Sequence, residues 1–332
     1  MEQIASTQDY RPVWLWALRI SAIIALLPLL AAAMIVPFDW IPQAIPYLKG
    51  GRTLIGLALV LLLPVSVLLP YLIILWRVRN KPTTENGLSL AIIVGSWWYT
   101  FCSALTFTWF IDPPTLKANP SKGEVELIYM FVGIWLVVGV PHFVLLMSAM
   151  RTAGFPKYVR SAQIEPNIGS RWLQVARIAV IASMVFLLLP SLFLSPILKR
   201  TIPTSGLISM GLMVLASEVP YLFIISRPRA YPLEGLVTDL GTGLASGWIA
   251  LFAMAALCCA FVLRHCHWDW TLPAFWAPFG ITQTCLLVSS LRLRHLSQKT
   301  GGMGRPVLWN TLIPTVCFGL FLVVIVFYSA SV

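Results

Sequence analysis

The sequence predicts an all-α, polytopic integral membrane protein of about nine transmembrane helices, arranged as two parallel four-helix repeats plus a C-terminal helix. Three observations carry this reading. Of 332 residues, 58% are apolar and only 11% are charged, whereas an ordinary soluble domain is about 25% charged. Several apolar runs are about twenty residues long, which at ~1.5 Å rise per residue matches a hydrocarbon core of roughly 30 Å. The stretch from Pro70-Tyr71-Leu72 through Ile74 to Arg77 and Arg79 returns as Pro220-Tyr221-Leu222, Ile224, Arg227 and Arg229 at identical spacing.

Taken in order, a polar leader (1–12) precedes a first span at 13–36. That span exceeds the ~7–15-residue apolar region of a cleaved signal, so it is expected to remain as helix one. Further spans fall near 54–76, 87–110, 127–149, 172–196, 206–226, 243–264, 271–291 and 307–329. They divide the chain into a first unit (1–151), a cytoplasmic linker loop (152–171), a second unit (172–300) and a C-terminal helix (301–332).

Basic residues set the expected orientation, because Lys and Arg are retained on the cytoplasmic side. The N terminus and the loops after even-numbered spans hold fourteen of them, Arg77, Arg79, Arg151, Arg227, Arg292 and Arg294 included, against seven after odd-numbered spans. The N terminus is therefore expected inside and the C terminus outside, in a plasma or inner membrane. Tryptophans near span ends, such as Trp14, Trp76, Trp172 and Trp309, suit the two interfacial belts.

Other fragments support a duplication. Trp14 and Arg19 recur as Trp172 and Arg177, and Ser148 and Arg151 as Ser289 and Arg292, with an offset that shrinks along the chain. Units with an even number of spans enter the membrane in the same orientation, and parallel repeats of this kind place sites at their interface.

Composition also excludes classes of function. Nearly everything outside the spans is short loop, so no soluble nucleotide-binding domain is expected, and energy must come from an ion gradient or a partner chain. The net charge of +11 is spread over short loops, which points to anionic membrane lipids as partners and not to nucleic acid. The six cysteines form no CxxC pair and read as small core residues. Nothing in the sequence implies a cofactor.

Few groups break the apolar rule. Glu218 is the only carboxylate well inside a predicted span, about 13 Å from Arg227 by helical rise. An acid at that depth faces a bundle interior or cavity and needs a partner. Arg177 lies at an adjacent depth and is the expected one; Arg19 is its duplicate. The first copy has Leu68 where the second has Glu218, so two arginines share one acid. Either the spare Arg holds an anionic group, or Glu218 carries a proton, or both arginines reach the headgroups and Glu218 is structural.

Tyr71 and Tyr221 sit beside kinking prolines, where stacking on a ligand competes with packing and interfacial anchoring. His142 is intramembrane but single, and haem ligation needs an axial partner on another span, so a hydrogen-bonded core role is expected. His265, Cys266, His267 and Asp269 form a short outer loop with metal-ligating chemistry. They lack a second ligand group at a recognisable spacing, so a polar interfacial loop is expected and no metal. The run Trp97-Trp98-Tyr99 suits a lipid or quinone pocket or, more simply, a packed aromatic core. Gly243-Leu244-Ala245-Ser246-Gly247 has no histidine on a following span to activate a serine and reads as close helix packing.

The function these features favour is a membrane-embedded transport or binding component for a hydrophobic or anionic solute, alone or with other membrane subunits. Two alternatives stay open: an integral membrane enzyme acting on a lipid or polyprenyl substrate, and a structural or protective subunit that binds another membrane protein. No catalytic constellation is evident, which weighs against the enzyme.

Overall fold

A computed structural model of the chain describes residues 10–44, 51–80, 85–111, 129–152, 166–201, 204–225, 236–261, 271–301 and 316–319, and within them there is helix and no strand. The helices are α1 Tyr10–Ala44, α2 Gly51–Asn80, α3 Glu85–Ile111, α4 Tyr129–Thr152, α5 Pro166–Thr201, α6 Thr204–Ile225, α7 Leu236–Phe261 and α8 Thr271–Gly301. Of the predicted ninth span only 316–319 is described, and it is helical. Among the described residues, five stretches are long and apolar enough to cross a bilayer: Val13–Met34, Gly87–Phe107, Tyr129–Thr152, Arg171–Leu189 and Thr204–Ile225.

Most helices outrun the apolar windows that predicted them. Hydropathy registers only the hydrocarbon zone, while a helix bonds its own backbone and continues into the polar boundary at no cost. The largest difference at a helix start is at α7, which begins at Leu236, seven residues ahead of the predicted span. That earlier turn contains Asp239, which an apolar window rejects.

The surface pattern is that of a protein in lipid. Ile20, Ile24 and Leu27 of α1 and Ile208, Leu212 and Leu215 of α6 are exposed, whereas Ser21, Ser96, Thr100, Ser183 and Ser217 are buried. A soluble fold reverses this arrangement. The buried hydroxyls are satisfied by their own helices: Ser96 donates to the Ile92 carbonyl at 2.7 Å and Thr100 to the Ser96 carbonyl at 2.8 Å. Small hydroxylated side chains bonded in this way let helix backbones approach closely.

The packing falls into two sets. α1 packs on α2 and α4, and α3 packs on the same two; α5 packs on α6 and α8, and α7 packs on the same two. The sets meet chiefly where α3 lies against α7. Gly243 faces Ser96 and Ile93, and Gly247 faces Trp97 and Thr100, so contacts climb both helices together and the helices run parallel. A Cβ on Gly243 would stand 2.8 Å from the Ser96 Cβ, so the close-packing role expected of these glycines is what they have. α3 is the enclosed helix: 83% of its apolar window is buried, against 28% for α5.

Proline shapes the helices at Pro70, Pro220 and Pro278. In α4 the chain takes a π turn over Trp135–Gly139, with the Val140 N–H bonded to the Trp135 carbonyl, just before Pro141. The Trp135 ring folds back over Gly139, where a Cβ would lie 2.6 Å away, and its indole N–H donates to Thr106 Oγ1 at 2.8 Å.

The α3–α7 crossing should be the least tolerant backbone contact in the bundle. Gly243→Leu is expected to lower the thermal midpoint of the detergent-purified protein by an overpacking cost of about 1–3 kcal/mol. Gly211→Leu, at a position with no atom within 4 Å, should leave the midpoint unchanged when the two are melted side by side.

Candidate functional site

Glu218 lies on the inward face of α6, which also carries Met210, Met213, Val214, Ser217, Tyr221 and Ile224. It is 3% exposed, and neither carboxyl oxygen receives a hydrogen bond from any described residue. An ionised carboxylate at mid-membrane costs about 2.5–3.5 kcal/mol on insertion scales, and here no donor offsets that cost. The phenols of Tyr99 on α3 and Tyr221 on α6 lie within electrostatic reach of its charge.

The backbone beside Glu218 is equally unusual. Pro220 has no N–H, so the carbonyl four residues earlier, that of Ala216, loses its helical donor. The Tyr99 hydroxyl, reaching across from α3, donates to that carbonyl instead. A membrane interior offers no water for the freed group, so a side chain from a neighbouring helix must serve. This bond pins the proline kink of one set of helices to the central helix of the other, two residues from Glu218.

Tyr221 anchors a second polar group. Its hydroxyl accepts the Trp248 indole N–H at 2.9 Å and lies 3.5 Å from the Gln283 amide nitrogen. That nitrogen donates to Ser183 Oγ at 2.9 Å, and Ser183 donates to the Ala179 carbonyl at 2.7 Å. Gln283 is fully buried, and its carbonyl oxygen, like the two oxygens of Glu218, has no donor among the described residues.

The first set of helices holds a parallel arrangement without the acid. Tyr71 bonds His142 Nε2, and His142 Nδ1 lies 2.6 Å from the Val138 carbonyl. The carbonyl can only accept, so Nδ1 carries the proton and Nε2 accepts from the tyrosine. Both ring nitrogens are therefore occupied in a structural bridge between α2 and α4. Tyr71 and Tyr221 thus do the same job, each reaching a polar side chain on the last helix of its set.

Of the two arginines, Arg19 has its partners on the first set of helices. Arg19 donates to the Val78 carbonyl at 3.2 Å, in the last turn of α2, and lies 5.9 Å from the centre of the Trp16 ring. The guanidinium caps a helix C-terminus, where exposed carbonyls and the helix dipole favour a cation. Arg177 takes the corresponding place on α5, and no hydrogen bond joins it to Glu218. Arg177 is thus not a hydrogen-bond donor to Glu218.

One ion pair escaped sequence reasoning. Arg294 of α8 holds Asp239 of α7 at 2.6 Å, with side-chain exposures of 14% and 9%. The available signal was an acid in the first turn of a helix, hidden because the helix was expected to begin later. Gln283, Ser183 and Trp248 were missed because neutral polar side chains leave almost no mark in a hydropathy window. Trp97 and Trp98 are buried; Trp97 donates to Ser246 Oγ at 2.8 Å, and Trp98 packs on His142 and Phe318. The cavity beside them, between Tyr71 and Cys317, measures about 20 Å³, room for one water and not for a quinone. His265, Cys266, His267 and Asp269 lie outside the described residues.

If His142 is a bridge and not a ligand, its replacement by the residue found at the matching place in α8 should be tolerated. His142→Gln is expected to melt near the wild type, while His142→Leu, which strands the buried Tyr71 hydroxyl, should lose about 1–3 kcal/mol. Thermal melts of both variants in detergent measure the difference.

Comparison of the chain with protein-family models, with curated proteins and with solved structures finds no match.

Proposed function

We propose that the protein is a membrane-embedded transport or binding component for a hydrophobic or anionic solute, acting alone or as a subunit of a larger membrane complex, with Glu218 as its working group. The observation that carries this reading is a fully enclosed carboxyl without a hydrogen-bond donor, at the junction of two helix sets. A purely structural acid would be expected to have acquired a partner, as Asp239 has in Arg294. An unpaired one is maintained at a cost to stability, and such groups mark ion and substrate pathways.

The architecture behind this proposal is nine spans, two parallel copies of four helices and one more. It is supported by the matching packing of the two sets, by the parallel run of α3 and α7, and by the paired Tyr71–His142 and Tyr221–Gln283 contacts. The junction of the copies is where parallel-repeat transporters hold their substrates. We place the N terminus in the cytoplasm, the basic helix ends against anionic lipid headgroups and the exposed apolar faces against acyl chains.

Membrane vesicles from cells expressing the wild-type chain, Glu218→Gln or no chain can be incubated with a whole-cell metabolite extract and their contents compared by mass spectrometry. At least one hydrophobic or anionic compound should accumulate with the wild-type chain and fall to the empty-vector level with Glu218→Gln. Identical contents in all three preparations would overturn the proposal.

A further inference from the structure

We infer that the polar cluster around Glu218 is a binding site for one monovalent cation, a proton or sodium ion, held by the Glu218 carboxylate with the Gln283 carbonyl oxygen as a neighbouring acceptor. This deepens the functional reading above and rests on it. The argument is one of unmatched chemistry. Three oxygens, both of Glu218 and Oε1 of Gln283, are buried and receive no hydrogen bond from a described residue, while Glu218 is 3% and Gln283 0% exposed. Tyr221 ties them into one cluster: its hydroxyl sits against the Gln283 amide and within reach of the Glu218 charge. The tyrosine side chain in a helix leans back over the preceding turn, which here is the turn of Glu218.

Apart from the Tyr221 O–H, which accepts from Trp248 and faces Gln283, the neighbouring donors are already used. The Tyr99 hydroxyl is given to the Ala216 carbonyl, the Trp248 indole N–H to Tyr221, and the Gln283 amide to Ser183. Acceptors in excess of donors, together with one formal negative charge, select a small hard cation or a proton and disfavour an anion at the same spot. The titratable or charged side chains described on the helices packed against α6 are Tyr99 and Cys102 of α3, Arg171 and Arg177 of α5 and Asp239 of α7, and Asp239 is held by Arg294 of α8. In the first set of helices Leu68 stands where Glu218 does in the second, so the site exists once per chain.

The site also fits an anionic solute. A cation on Glu218 removes the repulsion that the carboxylate would exert on a negatively charged molecule at the junction, so binding of one favours binding of the other.

Detergent-purified protein can be titrated with sodium chloride against choline chloride, and separately with acid, while tryptophan fluorescence and the carboxyl infrared difference band are followed. A saturable response to sodium that weakens as the pH falls, with loss of the ionised-carboxylate signal on acidification, identifies sodium in competition with protons. A response to acid alone identifies the proton. Either response must vanish in Glu218→Leu, which restores the residue of the first copy and so should fold, and in Glu218→Gln. Absence of both responses, or their persistence in Glu218→Leu, overturns the inference. The outcome is separable from that of the uptake experiment: uptake without an ion response leaves the transport reading standing, and an ion response without uptake leaves the ion site standing.

Discussion

The close parallel crossing of α3 and α7 is the contact on which the rest of the bundle depends. Glycine at 243 and 247 against Ser96 and Thr100 brings two backbones together without a large side chain between them, as membrane helices must do when lipid supplies no hydrophobic drive to associate. That approach sets the position of α3 with respect to the second set of helices. It carries Tyr99 to the kink of α6, Trp97 to Ser246 and the aromatic run into the centre of the protein. A bulkier seam would move Tyr99 off the Ala216 carbonyl and leave a polar backbone group exposed in an apolar interior.

Much of the polar interior is satisfied by side chains: the carbonyl freed by Pro220 accepts from Tyr99 on a neighbouring helix, and most buried hydroxyls donate to carbonyls of their own helix. Tyr99 serves Ala216, His142 serves Val138, and Arg19 serves Val78. These bonds turn prolines from breaks into fixed bends. Against that background the two Glu218 oxygens and the Gln283 carbonyl are buried acceptors that receive no hydrogen bond from a described residue. In each set of helices a tyrosine reaches a polar side chain across the bundle, and in the second an acid lies one turn away. The scaffold explains why the acid can be held rigidly, and its lack of a donor explains why it is chemically available.

Much of this was legible beforehand. The helical class, the position of each described helix, the glycine seam and the prominence of Glu218 follow from composition and from the residues that violate it, because a bilayer penalises charge strongly enough for a single carboxylate to stand out. The matching Pro-Tyr-Leu stretches drew attention to Tyr71 and Tyr221, each of which reaches a polar side chain on another helix. The partners of Glu218 were not legible. Arg177 and Glu218 fall at neighbouring depths in a linear reading, yet depth says nothing about which way a side chain points around its helix. Gln283, Ser183 and Trp248 were invisible for a different reason: they are neutral, and a neutral polar residue hardly changes local hydropathy.

The sequence by itself determined that this chain forms apolar helices, which of their ends carry basic charge and which residue is out of place among them, since these depend on properties summed along a segment. Only the tertiary structure decided that α3 is enclosed, that Arg19 caps a helix and that Asp239 is neutralised by Arg294. It also decided that Glu218 stands within reach of Tyr99 and Tyr221 with no donor among the described residues. Those facts depend on rotation about helix axes and on contacts between helices far apart in the chain, which no property of a single segment encodes.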